Sequence, residues 1–181
     1  MDQVTRSALL RGRFRGAGAF VRPPWACRES EFLDRCDRCG DCLTACAPGI
    51  VVRGPGGFPE VDFRRGGCTF CGACAEGCHS GALTKRRADT DAPWRLRAAI
   101  GDGCLTRQGV VCRACGSACE ADAIRFPPMI GTAARPEVAA AECSGCGACV
   151  AACPAAAIVM TETRAPGGVA PLRARAAGGS R

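Results

Sequence analysis

Apolar residues occur in short bursts separated by glycine, proline and charge, and none approaches the ~18 residues that a membrane-crossing helix requires. Ile50-Val51-Val52 and the alternating Pro59-Glu60-Val61-Asp62-Phe63 flank Gly54-Pro55-Gly56-Gly57, which predicts a short hairpin with a Gly/Pro turn. Ala123-Ile124-Arg125-Phe126 reads as a second strand, turned by Pro127-Pro128 and Gly131 and answered by Pro136-Glu137-Val138. Ala155-Ala156-Ala157-Ile158-Val159-Met160 reads as a helical turn followed by a strand. Trp94 to Ile100 fits a short helix or a strand, and the pattern leaves both open. Residues 1–26 form a basic flexible arm ending in Val21-Arg22-Pro23-Pro24-Trp25, with Trp25 the side chain able to pack its end down. Lys85-Arg86-Arg87 followed by Ala88 to Pro93 marks a seam, and residues 164–181 form a disordered tail.

Cysteine occupies the gaps between these bursts. The chain has 181 residues and 17 cysteines, against seven Phe, two Trp and no Tyr. So few large side chains cannot fill a generous apolar core, and small proteins in that position lean on metals or disulfides. Spacing decides between the two. Cys143, Cys146, Cys149 and Cys153, followed by Pro154, stand as C-x2-C-x2-C-x3-C-P, the run whose first three thiolates hold one [4Fe–4S] cluster and whose fourth reaches a neighbour. Cys36, Cys39, Cys42 and Cys46 repeat that register. Cys68, Cys71, Cys74 and Cys78 repeat it again, each 32 residues after its counterpart. The third motif is irregular: Cys104 hangs on a seven-residue spacer before Cys112, Cys115 and Cys119, which lie 34 residues before Cys146, Cys149 and Cys153. A disulfide framework sets no such rhythm, and structural zinc favours two separated C-x2-C knuckles over a four-cysteine run.

The swap of fourth ligands within paired motifs gives a definite assignment. Cluster one takes Cys36, Cys39, Cys42 and Cys78; cluster two takes Cys68, Cys71, Cys74 and Cys46. Cluster three takes Cys104, Cys112, Cys115 and Cys153; cluster four takes Cys143, Cys146, Cys149 and Cys119. Gly40, Gly72, Gly116, Gly145 and Gly147 sit inside the runs, where close backbone approach and positive φ favour glycine. The expected fold is α+β: two tandem two-cluster bacterial-ferredoxin-like halves, small, loop-rich and cluster-centred, spanning residues 27–87 and 104–163 with a connector at 88–103. Cys27 falls outside the register and reads as a spare thiol. His79, in place of the proline that often follows the fourth cysteine, reads as a hydrogen-bond donor near a cluster or an exposed side chain rather than a ligand.

The formal charge of +7 invites a nucleic-acid partner, but it counts every cysteine as neutral. Four oxidised thiolate-held clusters at about −2 each bring the loaded chain to roughly −1, so the arginines read as counter-charges. No nucleic-acid motif and no membrane span are expected. No paired carboxylates or Ser/His/Asp grouping marks a catalytic site of its own, so the chain is not expected to be an enzyme.

With these four motifs, and above all Cys104 followed by Gly109-Val110-Val111-Cys112-Arg113-Ala114-Cys115 and Ala123 to Phe126, the chain resembles the NapF family of ferredoxin-type proteins over roughly residues 27–160. Cys68-Thr69-Phe70-Cys71 followed by Ala73-Cys74-Ala75 carries the same resemblance, while His79 and Glu120 depart from the proline that usually follows the fourth cysteine. The resemblance implies a cytoplasmic protein with four [4Fe–4S] clusters. It also implies binding to the catalytic molybdopterin subunit of periplasmic nitrate reductase before export, and help in that subunit's maturation. The scattered arginines of the arm make no twin-arginine signal. Two other roles fit the same motifs: an electron-transfer subunit of a respiratory redox chain fed by a donor protein, and a non-redox scaffold folded by its clusters.

Overall fold

The computed structural model describes residues 21–85 and 94–162; most of the basic arm, most of the seam at 85–93 and the tail from 163 lie outside the described residues. The described chain forms two compact units. The first comprises residues 21–62 and 72–85, the second residues 63–71 and 94–162.

The first unit is built on the predicted hairpin. Strands β1 (Val51–Arg53) and β2 (Pro59–Val61) pair antiparallel, Val51 opposite Val61 and Arg53 opposite Pro59. A single 3-10 turn, Pro55–Gly57, joins them, closed by the Gly54 N–H donating to the Phe58 carbonyl at 2.8 Å. Helix α1 (Glu29–Arg35) was not read from the pattern, because only one of its residues, Phe32, is buried. What holds it is charge and one anchor. Glu29 and Glu31 lie in its first turn and Arg35 in its last, the favourable order for the helix dipole, and Glu31 pairs with Arg35 at 2.6 Å. Phe32 is fully buried against Phe58, with the Arg22 guanidinium 4.9 Å from its ring centre and forked onto Glu29 at 3.0 and 2.7 Å. The arm's end does pack through Trp25: its carbonyl accepts the Thr84 N–H at 3.0 Å and the Lys85 ammonium lies 4.9 Å from its ring centre. Two four-residue helices complete this unit, α2 (Asp41–Thr44) and α3 (Ala73–Glu76).

In the second unit Trp94 to Ile100 resolves as a strand. Strand β3 (Leu96–Ile100) pairs antiparallel with β6 (Ile158–Glu162) over five residues, burying Leu96, Ala98, Ile158 and Met160 on one face. The predicted second hairpin is present but short: β4 (Ile124–Arg125) pairs with β5 (Glu137–Val138). A 3-10 turn (Leu105–Gln108) and helices α4 (Ala114–Ser117) and α5 (Ala148–Ala152) carry the remaining cysteines. Ala155 to Ala157 is not a helical turn. Ala156 is left-handed at φ 47° and donates back to the Cys153 carbonyl, so the chain bends directly into β6. Among the described residues no helix is long and apolar enough to cross a membrane.

Candidate metal centres

All four motifs use one local design. The third cysteine of each run sits within a short helix and is the buried one: Cys42, Cys74, Cys115 and Cys149 are all under a tenth exposed. A sharp turn must come before each helix so that the preceding thiol faces the same side. In three motifs a left-handed glycine supplies it, Gly40 at φ 96°, Gly72 at φ 91° and Gly147 at φ 79°. In the third motif that place belongs to Arg113 at φ −130°, and the seven-residue spacer makes the approach differently. Gly116 serves another purpose than positive φ. It lies within α4, and a Cβ there would meet Phe126 Cε2 at 2.5 Å, so it is a packing glycine. The residue three places after each fourth cysteine is also left-handed: Gly49, Gly81, Asp122 and Ala156.

Eight of the cysteines line two open pockets. One, about 360 Å³ counted out to its open mouth, is lined by Cys36, Cys39, Cys42 and Cys78 together with Phe32, Leu43, Ala82 and Leu83. The other, about 330 Å³, is lined by Cys104, Cys112, Cys115 and Cys153 with Ile100, Leu105, Pro136 and Ile158. Each thus gathers three thiols from one motif, or from one motif and its long loop, with a fourth from the partner motif. The thiols that act on the charge of Cys149 are Cys146, Cys143, Cys119 and Cys115, so members of motifs three and four both reach it. Of the other cysteines of motifs one and two, Cys68 and Cys71 belong to the second unit, and Cys46 and Cys74 to the first.

Electrostatics separates two kinds of thiol. Burial, and then the neighbouring thiols, push Cys42 up to about 11 and Cys149 up to about 12, and burial also raises Cys115. Cys78 and Cys104 behave oppositely. Burial raises Cys78, but hydrogen bonds with the Ser80 hydroxyl (3.5 Å) and the Leu83 N–H (3.4 Å), with the Ala82 and Gly81 amides, outweigh it and bring it below the ordinary thiol value. Burial raises Cys104 too, and Thr106, whose buried hydroxyl lies 3.2 Å from the sulfur, with the Arg107 amide and guanidinium brings it down. Cys153 accepts the Ala157 N–H at 3.3 Å. Ser80 and Thr106 are not marked by the cysteine spacing; a hydroxyl two residues after a motif cysteine is the signal the sequence offers.

His79 is exposed. Cys27 is half-buried, its N–H donating to the Ala82 carbonyl, and it is not among the residues lining the pocket around Cys36. Its thiol is raised by burial first and by Glu31 next.

The description of a 4Fe-4S dicluster domain matches twice, over residues 35–82 and 110–157. The chain is 43% identical to the ferredoxin-type protein NapF of Escherichia coli K12 over 155 residues, 86% of this chain and 93% of that protein. The chain belongs to the NapF family of ferredoxin-type proteins. A second NapF, from Haemophilus influenzae, is 40% identical over 174 residues, covering 91% of this chain and 97% of its own. A methylamine utilization ferredoxin-type protein MauM, from Methylobacillus flagellatus, is 31% identical over 168 residues, covering 84% and 72%. Two dicluster domains amount to four [4Fe–4S] clusters, as the cysteine runs predict. Tandem halves of mixed short helices and strands are likewise what this chain shows. The donor sets of these two pockets suit such clusters: four soft thiols each, walled by apolar side chains, with the Leu83 and Ala157 N–H groups donating to Cys78 and Cys153. Cys104 lies before the second matched segment, yet it lines the same pocket as Cys112, Cys115 and Cys153.

Proposed function

We propose that sixteen cysteines hold the four clusters in the quartets set out above, within two small α+β ferredoxin-like halves. One observation carries this reading: Cys78 and Cys153 each line a pocket with three cysteines lying 32 or more residues earlier in the chain. When bound, the clusters supply one-electron chemistry, ferredoxin-type proteins being electron carriers. The polypeptide's part is to position thiolates, to donate hydrogen bonds to them from Ser80, Leu83, Thr106 and Ala157, and to keep the third ligand of each run from water.

On this reading the chain is an accessory redox protein of the cytoplasm. It binds the catalytic molybdopterin subunit of periplasmic nitrate reductase before export and assists its maturation. Family membership and the absence of any catalytic grouping in the sequence support that role. Two measurements test it. Anaerobically purified protein should carry about sixteen irons with matching acid-labile sulfide and show coupled S = 1/2 signals on reduction; zinc, or iron near half that value, defeats the quartets. A pull-down should capture the unexported nitrate reductase precursor, and failure under both oxidised and reduced conditions defeats the maturation role.

A further inference from the structure

Fourth-ligand exchange ties motif one to motif two and motif three to motif four, but nothing in the sequence ties one pair to the other. The second unit contains such a tie. The Cys68 N–H donates to the Cys146 carbonyl at 2.8 Å, which joins the first cysteine of motif two to the second cysteine of motif four. Around it the two loops lie too close for side chains at the glycines. A Cβ on Gly67 would stand 2.8 Å from the Ala148 Cβ and 3.1 Å from its backbone N. A Cβ on Gly147 would run into the Phe63 ring, and one on Gly145 would meet the Leu96 carbonyl oxygen at 2.5 Å. Trp94 fills the remaining space. It meets Phe63 and Phe70 edge-on at 5.6 and 5.8 Å, and its Nε1 lies 3.0 Å from where a Gly145 Cβ would be. That Nε1 is the one buried side-chain nitrogen or oxygen among the described residues with no hydrogen-bond partner. Buried donors are normally satisfied, so the loop of Cys143 and Cys146 faces an N–H suited to an acceptor bound there.

The geometry points to an electron-exchange junction between the loop of motif two and the loop of motif four. It makes centres two and four the place where one motif pair exchanges electrons with the other. The inference rests on the proposed ligand quartets. Each exchange moves one electron from a reduced cluster to an oxidised one, with no bond made or broken and no proton transferred. The path leaves the Cys68 sulfur, runs through its Cβ, Cα and N–H, crosses one hydrogen bond to the Cys146 carbonyl, and reaches the Cys146 sulfur. Phe63, Phe70 and Trp94 are positioning residues that keep water out of this path and hold the two loops at backbone contact.

Pulsed dipolar EPR on the full loaded chain, reduced in steps with dithionite, tests the junction. The expected result is a spin-coupled network joining all four clusters. In Trp94→Ala and Gly67→Ala, iron content should stay at the parental level while the coupling between the two pairs is lost. Trp94→Phe, which keeps the packing and removes the N–H, should retain the coupling and shift one reduction potential. Two isolated pairs in the parental chain overturn the junction, and so does four-way coupling retained in both disruptive variants at full iron. If those variants shed iron, the parental spectrum decides. Iron far below sixteen in the parental chain defeats the quartets instead, so the two failures are distinguishable.

Discussion

The two closures of this repeated fold are built differently. The segment before motif three, β3, pairs with the segment after motif four, β6, along a five-residue antiparallel ladder. The corresponding closure around motifs one and two is a single bridge, Ala26 opposite Leu83, flanked by the Thr84–Trp25 and Cys27–Ala82 backbone hydrogen bonds. What that closure lacks in ladder it makes up with side chains: Phe32 and Phe58 packed under the Arg22 guanidinium, itself forked onto Glu29. One ligand pattern is therefore closed in one case by backbone pairing and in the other by an aromatic–guanidinium cluster. The cysteine register fixes where thiolates stand, and the means of closure is left free.

Removing the iron should affect both closures alike. Neither aromatic-poor core is large enough to stand alone, so a chelator under anaerobic conditions should abolish the cooperative unfolding transition seen by circular dichroism. A retained transition in the ladder-closed part alone would show that backbone pairing suffices there. Next in size is Phe32→Ala. Truncating a fully buried Phe costs about 3–5 kcal/mol, and because Phe32 also lines the pocket around Cys36, cluster one should bleach first in a denaturant titration.

Acidity should weaken both parts. In the cluster-free chain Cys42 and Cys149 hold their protons up to about 11 and about 12, so loading must expel them. The loaded state then binds fewer protons, and loading should strengthen as pH rises, about tenfold per pH unit for each proton expelled. Reconstitution followed by visible absorbance between pH 6 and pH 8 checks the sign, and a flat profile would overturn it. Smallest is a pair of substitutions at one motif position. Gly147→Ala puts a side chain at positive φ and against Phe63, which should cost more than 1 kcal/mol. Arg113→Gly should cost only about 0.5–1 kcal/mol, through backbone entropy and the lost contact of its guanidinium, 5.1 Å from the Phe126 ring centre. Thermal melts of the loaded protein compare them.

Spacing made much of this legible from the residues. The long jump from Cys104 to Cys112 reads as an irregular loop, and the structure bends it through a 3-10 turn so that Cys104 and Cys112 line one pocket. Gly54 to Gly57 reads as a turn because only such residues close so tight a hairpin. What stayed illegible depends on contacts distant in sequence. Helix α1 shows one buried residue and no period, so its anchor on Phe58 and Arg22 cannot be read locally. Trp94 to Ile100 becomes a strand because β6, some sixty residues away, supplies its partner. The Cys68–Cys146 hydrogen bond joins motifs that no register connects.

That Cys78 and Cys153 come last in the chain among the cysteines lining their pockets also has a consequence in time. A ribosome delivers the chain from its N-terminus, and a quartet can be completed only when its last thiol has emerged. With the proposed quartets, motifs one and two are complete at Cys78, while the other two clusters wait for Cys149 and Cys153. At about 5–20 residues per second that interval is roughly 4–15 s. Through it the nascent chain carries Cys104, Cys112, Cys115 and Cys119 without their partners. Iron delivery during synthesis therefore meets a finished first pair and an open second one, which makes the later motifs the point where oxygen or a competing metal can intervene.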